Sequence, residues 1–360
     1  MCIRLWAGLT ILSFNLSMYP DAGDVGTMAT CTTCRFKEDK SNYWTAAMYF
    51  KHPNGSFIRV PQMANHGTGP GISAGGMTVY YFQPRAPTKN LTIVPFKPGF
   101  RMIVGNPMRR RDAYADTDGP PSTAAHALTF RCFQGTDMGS MGSPGRGPDD
   151  SVHLPVGVCT GGIRSTVYFP QCWDGVNLDP ADHSSHVEHP SGTPARDGLQ
   201  FFGTDCPASH PVRLPLLFVE IVWDTRPFND PALWPVDGSQ PFVLSMGDPT
   251  GYGQHADYLF GWEGDALARA MDVCRFDDAS CPLLTTQNVE TMNSCRLPAK
   301  VAESVEGQYL DRLPGCNPIQ GGPESATQVV NCGAPSTTAE GVVPTSPPTV
   351  IVPPWSEYGR

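Results

Sequence analysis

The chain has 360 residues, of which 16% are charged and 40% hydrophobic, and its formal net charge is −9. That apolar content is enough for a substantial core in one large domain or two smaller ones. Binding to nucleic acid normally requires a basic surface, so no nucleic-acid partner is predicted. Glycine and proline, with 37 residues each, favour a loop-rich β protein over a helical bundle.

The first residues form an apolar run that resembles part of a signal peptide. Leu5 to Phe14 follows Arg4, but polar residues dilute the run and no clear cleavage site follows it. The run is also too short to cross a bilayer, so no membrane span is predicted. We interpret residues 1–27 as either a poor signal peptide or an incorrectly assigned start of translation.

Cysteines and glycosylation motifs indicate an extracellular protein. The twelve cysteines include one Cys-x2-Cys pair, Cys31 and Cys34, without the second pair that a zinc finger needs. Disulfide bonds in a secreted protein explain the count better. Asn54-Gly55-Ser56 and Asn90-Leu91-Thr92 match the N-glycosylation pattern, which is weak evidence for each site alone.

Alternating and β-branched apolar runs predict the strands. In chain order these are Met77–Phe82, Thr92–Phe96, Arg101–Val104, Leu128–Phe133, Ile163–Phe169, Leu214–Trp223 and Phe242–Met246. No regular crossover helices separate them, so antiparallel pairing is expected. The sequence therefore predicts a mostly β fold over residues 28–332, an antiparallel β-sandwich or jelly-roll-like single domain with long loops and few helices.

Two further features complete the predicted organisation. In Leu214–Trp223 both faces are apolar except at Glu220, so the strand is expected to be buried on both sides except there. A helix is predicted after Asp265, with an apolar stripe that favours core packing. Residues 333–360 are rich in proline, serine and threonine, which predicts an extended tail of a composition that suits O-glycosylation.

The candidate site lies in short polar segments between the apolar runs. Neutral imidazoles are natural acids, bases and metal ligands near neutral pH, and loops on a rigid scaffold commonly present such groups. The predicted catalytic residues are Asp182, His183, His186, His210, His255 and Asp257. Asp179, Asp182 or Asp257 would orient a histidine. Alternatively, Asp182 and His183 serve only to hold their loop in place.

Aromatic rings near these segments suit the faces of sugars, and polar groups suit their hydroxyls. The predicted substrate-binding residues are Tyr43, Trp44, Trp173, Asp174, Arg213 and Tyr252. Each ring is also explained by packing in the core or in a loop. No His-x-His or zincin spacing occurs, so no cofactor is predicted, and a divalent metal stays open as a secondary possibility.

Several ordered segments together resemble a known family. They occupy residues 31–34, 39–45, 76–82, 98–102, 169–175, 182–186, 206–215 and 247–253. These segments are similar to a secreted, mainly fungal domain of unknown function, the family numbered nineteen ninety-six. The resemblance runs from about Cys31 to about Pro282. It implies an extracellular protein of a kind sometimes joined to WSC-type cell-wall domains or to carbohydrate-binding modules, and it implies no activity.

One departure from that family concerns the start of the chain. Members usually carry a Ser-x-His-x-His-like segment before the Cys-Thr-Thr-Cys, whereas this chain has no histidine before His52. A mis-annotated first exon would explain both this difference and the poor signal peptide.

Two functions follow as hypotheses. The first is a secreted, cell-wall-associated enzyme that cleaves polysaccharide by hydrolysis or by elimination, with histidine and aspartate as acid and base. The second is a non-catalytic module that binds or senses cell-wall glycan. In both, the partner is a polysaccharide.

Overall fold

A computed structural model describes residues 24–63, 76–83, 92–114, 124–135, 149–191, 205–274, 281–295, 307–315 and 317–330. Three features predicted from the sequence lie wholly or mostly outside these ranges: the signal-like N-terminus, the sequon at Asn90 and the C-terminal tail. The sequon at Asn54 lies in an exposed turn.

Within the described residues the chain is mainly strands. They are β1 Asn42–Thr45, β2 Met48–Lys51, β3 Phe57–Arg59, β4 Gln62–Met63, β5 Met77–Phe82, β6 Arg101–Gly105, β7 Leu128–Phe133, β8 Asp150–Ser151, β9 Gly162–Tyr168, β10 Cys172–Trp173, β11 Val187–Glu188, β12 Val212–Arg213, β13 Leu216–Trp223, β14 Phe242–Leu244 and β15 His255–Leu259. The α-helices are α1 Val25–Met28, α2 Ala266–Val273 and α3 Val289–Ser294, and short 3-10 turns occur at Ala124–His126, Arg226–Phe228 and Pro231–Leu233.

Every pairing between these strands is antiparallel. The prediction of a mainly β, antiparallel fold with few helices is therefore confirmed. Among the described residues the strands form four sheets: β4-β13-β9-β7-β8 with β5 also on β13, and the three-stranded sheets β1-β15-β6, β11-β10-β12 and β14-β2-β3.

Strand β13 is the centre of the largest sheet, and all eight of its residues are buried. Its alternating faces pack as the sequence predicts. Leu217, Val219 and Ile221 join the main core, whereas Leu216 and Phe218 form a second cluster on the opposite face. The expectation that the strand is open at Glu220 is wrong, because Glu220 is only 4% exposed.

Glu220 is buried within a row of charges that crosses the sheet. The Arg164 guanidinium lies between two carboxylates, 3.3 Å from Glu220 and 3.6 Å from Asp150. Arg131 pairs with Asp150 at 2.6 Å, and the Tyr80 hydroxyl donates to Glu220 at 2.9 Å. Buried charges persist when each has an oppositely charged partner, which explains an acidic residue inside this strand.

The β1-β15-β6 sheet separates the core from the candidate site. Tyr43, Ala256 and Tyr258 face the main core, and alternate residues of the same strands face the other way. We call that second surface the outer face. It is partly exposed and carries Trp44 and Asp257. His255 and Asp257 were expected in a loop; they lie instead on β15, whose apolar alternate residues fix it against the core.

Two other expectations differ from the structure in detail. Residues 92–96 make only an isolated bridge, between Ile93 and Arg213, because Pro95 has no amide to extend a ladder. Helix α2 begins after Asp265 as predicted and buries Leu267 and Ala270. The Asp265 carboxylate does not cap the helix, since it accepts a hydrogen bond from Arg269 instead.

Disulfide bonds form both local and long-range links in the described chain, with sequence separations from 7 to 264 residues. Four have both cysteines in the described residues: Cys31–Cys295, Cys132–Cys159, Cys172–Cys206 and Cys274–Cys281. Cys34 is disulfide-bonded as well. No helix in the described part of the chain has the length and apolarity needed to cross a membrane.

The charge row predicts a strong and local effect on stability. Replacing Arg164 with methionine removes the guanidinium between Asp150 and Glu220, and we expect the free energy of unfolding to fall by about 3–5 kcal/mol. Urea denaturation followed by tryptophan fluorescence measures the change.

The matched control is Arg269→Met, because Arg269 pairs with Asp265 on an exposed helix surface. Loss of an exposed pair costs at most about 1 kcal/mol. Equal effects of the two substitutions would contradict a stabilising role for the buried row.

Candidate functional site

The candidate site begins with residues 174–186, which connect β10 to β11 and which we call the site loop. The Cys172–Cys206 disulfide joins its base to the segment before β12. Two hydrogen bonds attach the loop to the free edge of β6. The Arg101 amide donates to the Leu178 carbonyl at 3.0 Å, and the Ile103 amide donates to the His183 carbonyl at 2.7 Å. Residues 179–182 therefore bulge away from the sheet between two fixed points.

His183 closes this bulge and is paired with Asp179. Its φ of 53° is the only left-handed backbone conformation of a non-glycine residue in the described chain, a conformation that is uncommon for such residues. Its Nδ1 atom contacts an Asp179 carboxylate oxygen. A carboxylate accepts Nδ1–H, so this pairing leaves the lone pair on Nε2.

The second ring nitrogen of His183 is available for chemistry. No hydrogen bond to Nε2 is made by any residue that the structure describes, and the His183 side chain is 26% exposed. A partly exposed imidazole whose Nδ1 is held by a carboxylate is the arrangement that a general base requires.

Asp257 faces the same region from the outer face of the sheet. In the strand register it lies between Trp44 of β1 and Ile103 of β6, and Ile103 is the residue whose amide holds the His183 carbonyl. Asp257 Oδ1 is buried and has no hydrogen-bond partner. Burial raises the pKa of Asp257, while the charges of Arg101 and His183 oppose that rise. These groups are therefore close enough to interact electrostatically.

Trp44 and His255 extend the outer face beside Asp257. Their ring centroids lie 5.1 Å apart, and His255 is two residues from Asp257 on the same strand, so both point to one face. His255 Nδ1 is 2.8 Å from the Gly253 carbonyl. Burial lowers the pKa of His255 and favours its neutral form. The Trp44 indole thus forms a flat, partly exposed surface next to a carboxyl group.

His186 ends the site loop and His210 contacts it, but neither lies on the outer face. The His186 side chain turns inward and is 1% exposed, with its ring 5.1 Å from that of Phe100. Neither of its ring nitrogens makes a hydrogen bond of normal geometry, and burial lowers its pKa. His210 lies on the loop's exterior, where its Nε2 is 3.0 Å from the Ser185 carbonyl.

Asp182 maintains the shape of the loop. One of its oxygens accepts from the Ser184 amide, the Ser185 amide and the Ser185 hydroxyl. These hydrogen bonds lower the pKa of Asp182 to about 2. The carboxylate that orients His183 is Asp179, four residues earlier in the chain, which the sequence indicated only as one of three alternatives. Arg101 was not predicted, since nothing in its local sequence distinguishes it from other strand arginines.

Two predicted aromatic residues point into the interior. Tyr43 lies on the core face of β1 and its hydroxyl bonds to Asp39 at 2.8 Å. Trp173 is buried, its indole N–H donates to the Asn177 carbonyl, and the Lys97 ammonium lies 5.0 Å from its ring. Neither ring forms part of the outer face.

The other three predicted substrate-binding residues lie apart from the outer face. Asp174 accepts hydrogen bonds from the Val176 and Asn177 amides at the start of the site loop. Arg213 is buried, and its guanidinium contacts both sulfurs of the Cys172–Cys206 disulfide. Tyr252 is half-buried beside His153, with ring centroids 6.1 Å apart.

A divalent metal ion is the cofactor that the sequence left open as a secondary possibility. Among the residues described by the structure, no group of three or more histidine, cysteine, aspartate or glutamate side chains could hold one.

Comparisons with known proteins find one match. The profile of a family described as a domain of unknown function, DUF1996, matches residues 12–262, well over half of the chain. No curated protein and no solved structure matches the chain significantly.

The buried imidazole of His186 predicts how stability depends on pH. Its folded-state pKa lies below the ordinary 6.5, so the unfolded chain takes up a proton first as the pH falls. The stabilising contribution of neutral His186 is complete above about pH 6.5 and is lost as the pH falls toward the folded-state pKa. Replacing His186 with phenylalanine removes this proton uptake, and the acid-side slope of the free energy of unfolding is expected to decrease.

Phenylalanine also removes two buried polar atoms without partners, so at pH 7.5 we expect the variant to match or exceed the parent in stability, by up to about 3 kcal/mol. Urea denaturation across pH 4.5–7.5 measures both effects. His52→Phe, in the turn after β2, is the control. An unchanged slope in His186→Phe would contradict the assignment.

Proposed function

Since the chain belongs to the DUF1996 family, whose description names no activity, we propose from its own geometry that it is an extracellular protein acting on cell-wall polysaccharide. The proposed site is the outer face around Trp44 and Asp257 together with the His183–Asp179 pair. We define these four residues as the glycan site.

One observation carries the proposal: a His–Asp pair, a buried carboxyl group and a tryptophan ring meet at one partly exposed sheet face. The paired imidazole comes from a loop, and the carboxyl and the indole come from neighbouring strands. Aromatic rings bind the apolar faces of sugars, while carboxyl groups and imidazoles bind hydroxyls and transfer protons. A solely structural role would not require Asp257 Oδ1 to stay buried without a partner.

The geometry supports general acid–base hydrolysis. Burial favours the neutral form of Asp257, which donates a proton to the glycosidic oxygen as the bond to the anomeric carbon breaks. His183 Nε2 removes a proton from water, whose oxygen bonds to that carbon. Asp179 holds the imidazole in place and stabilises the imidazolium that forms. One water is consumed, and one new reducing end appears.

The disulfides support the extracellular location. Disulfides persist in oxidising compartments and are rare in reducing ones. The described part of the chain contains four complete disulfides. Cell-wall association and glycosylation are parts of the same proposal.

A binding module without catalysis is the second candidate. Two carboxylates of the loop have structural roles, which favours this candidate: Asp182 and Asp174 accept hydrogen bonds from backbone amides of the loop. In such a module Trp44 and Asp257 bind sugar, and the His183–Asp179 pair only stabilises the bulge.

Incubation of the full chain with fungal and plant wall glycans tests the proposal and separates the two candidates. If the site is catalytic, new reducing ends appear, and His183→Ala lowers their rate at least a hundredfold, because a positioned base contributes about 10²–10⁴ in rate. Unsaturated products would instead indicate elimination at the same site.

Trp44→Ala tests binding, and we expect it to abolish retention on the glycan that the parent binds. His52→Ala is the matched control, since the His52 ring also bonds to its own loop but lies in the turn between β2 and β3. Retention by His183→Ala with no turnover by the parent supports the binding module. If no glycan is bound or changed by the parent, neither candidate survives.

A further inference from the structure

The charges around the glycan site point to a particular class of sugar. We propose, on the basis of the function proposed above, that this site selects polysaccharide with free amino groups, such as a polymer of glucosamine. Three features of the site favour such a ligand: more carboxylates than permanent cations, a buried Asp257 oxygen without a hydrogen-bond partner, and the adjoining ring of Trp44.

Carboxylates outnumber cations around the site. Asp179 and Asp257 belong to the glycan site, and Asp174 and Asp182 lie on the site loop with Asp179. The cations in the described surroundings are the buried guanidinium of Arg101, whose charge favours ionised Asp257, and the Lys97 ammonium, which lies against Trp173. A polymer of uronic acid would bring further negative charge to this surface and would be repelled, whereas a cationic polymer would be attracted.

His186, on the inner side of the loop, does not neutralise the loop's carboxylates. His186 feels the charges of Asp174, Asp179 and Asp182, yet it is almost fully buried and neither of its ring nitrogens has a hydrogen-bond partner of normal geometry. Burial holds it in the neutral form. The loop thus carries three carboxylates, of which Asp179 is paired with His183, and His186 adds no positive charge to balance the other two.

Asp257 supplies the point of recognition. Its Oδ1 atom is a buried acceptor without a donor, and leaving such a group unpaired costs about 1–3 kcal/mol. A hydroxyl brings both a donor and lone pairs, which would face the neighbouring carboxylate of Asp179. An ammonium group brings donors alone. In the binding form of the site, where Asp257 is ionised, the ammonium pairs with Asp257 without placing oxygen lone pairs against Asp179.

Trp44 favours the same ligand. It lies directly opposite Asp257 in the strand register, where side chains on one face are about 5 Å apart. A cation bound to Asp257 therefore lies within reach of the indole face, and a tryptophan face attracts cations. A sugar ring stacked on Trp44 would direct its amino group toward the carboxyl.

Isothermal titration of the full chain with four oligosaccharides of equal length tests the inference. They are fully deacetylated glucosamine oligomers, their N-acetylated counterparts, oligogalacturonate and a neutral β-glucan oligomer. We expect the deacetylated oligomer to bind at least tenfold more tightly than the others, and its affinity to fall as salt rises from 50 to 500 mM.

Asp257→Asn should lower the affinity for the deacetylated oligomer at least tenfold and leave that for the acetylated oligomer within about twofold. Asp237→Asn is the matched control, because Asp237 is an exposed aspartate that accepts from its own turn as Asp182 does. Near-UV circular dichroism establishes that each variant is folded. The salt dependence of the parent provides a test that needs no variant.

Different results would overturn the amino-sugar preference and the proposed glycan site. Equal binding of acetylated or neutral oligomers, abolished by Trp44→Ala, would overturn the amino-sugar preference and leave the glycan site in place. Equal binding of an oligolysine of the same charge would overturn the assignment to sugar. Failure of every oligosaccharide to bind would overturn both the preference and the proposed function.

Discussion

Two backbone hydrogen bonds determine where the candidate site lies. The amides of Arg101 and Ile103, on the free edge of β6, donate to the carbonyls of Leu178 and His183. Without them β6 would have an open edge and the site loop would have no fixed position relative to the sheet. The two donors are two residues apart on the strand, whereas the two acceptors are five residues apart on the loop, so the loop residues between the acceptors bulge outward. The bulge places Asp179 against His183 and places both next to the outer face.

The opposite face of the same sheet explains why that position is rigid. Behind Trp44 and Asp257, the side chains of Tyr43 and Tyr258 are buried and linked through Tyr81, whose hydroxyl lies 2.7 Å and 3.1 Å from theirs. Trp262 donates to the same Tyr81 hydroxyl. Polar groups satisfied in this way fix a core more specifically than apolar contact alone. A strand held in register on its buried face presents its outer residues at fixed positions.

The sequence predicted what local patterns determine. Met77–Phe82 and the two faces of β13 follow from period-two alternation, and the His183 region follows from the density of polar groups. Strand β15 was missed because its outward residues, His255 and Asp257, are polar, although Ala256 and Tyr258 alternate with them. The choice between the neighbours Tyr43 and Trp44 needed the sheet, since adjacent residues point to opposite faces. The meeting of Asp257 with His183 depends on pairing between segments more than seventy residues apart, which no local pattern encodes.

The polar groups of the site differ in how far the fold itself uses them. Asp182 accepts three hydrogen bonds from its own loop. Arg213 is buried against a disulfide. Their roles are complete without a ligand. His183 Nε2 and Asp257 Oδ1 are different, because the fold holds each in place without supplying a partner. A protein gains no stability from an unpaired buried acceptor, so the retention of one beside a positioned imidazole is best explained by a ligand that pairs with it.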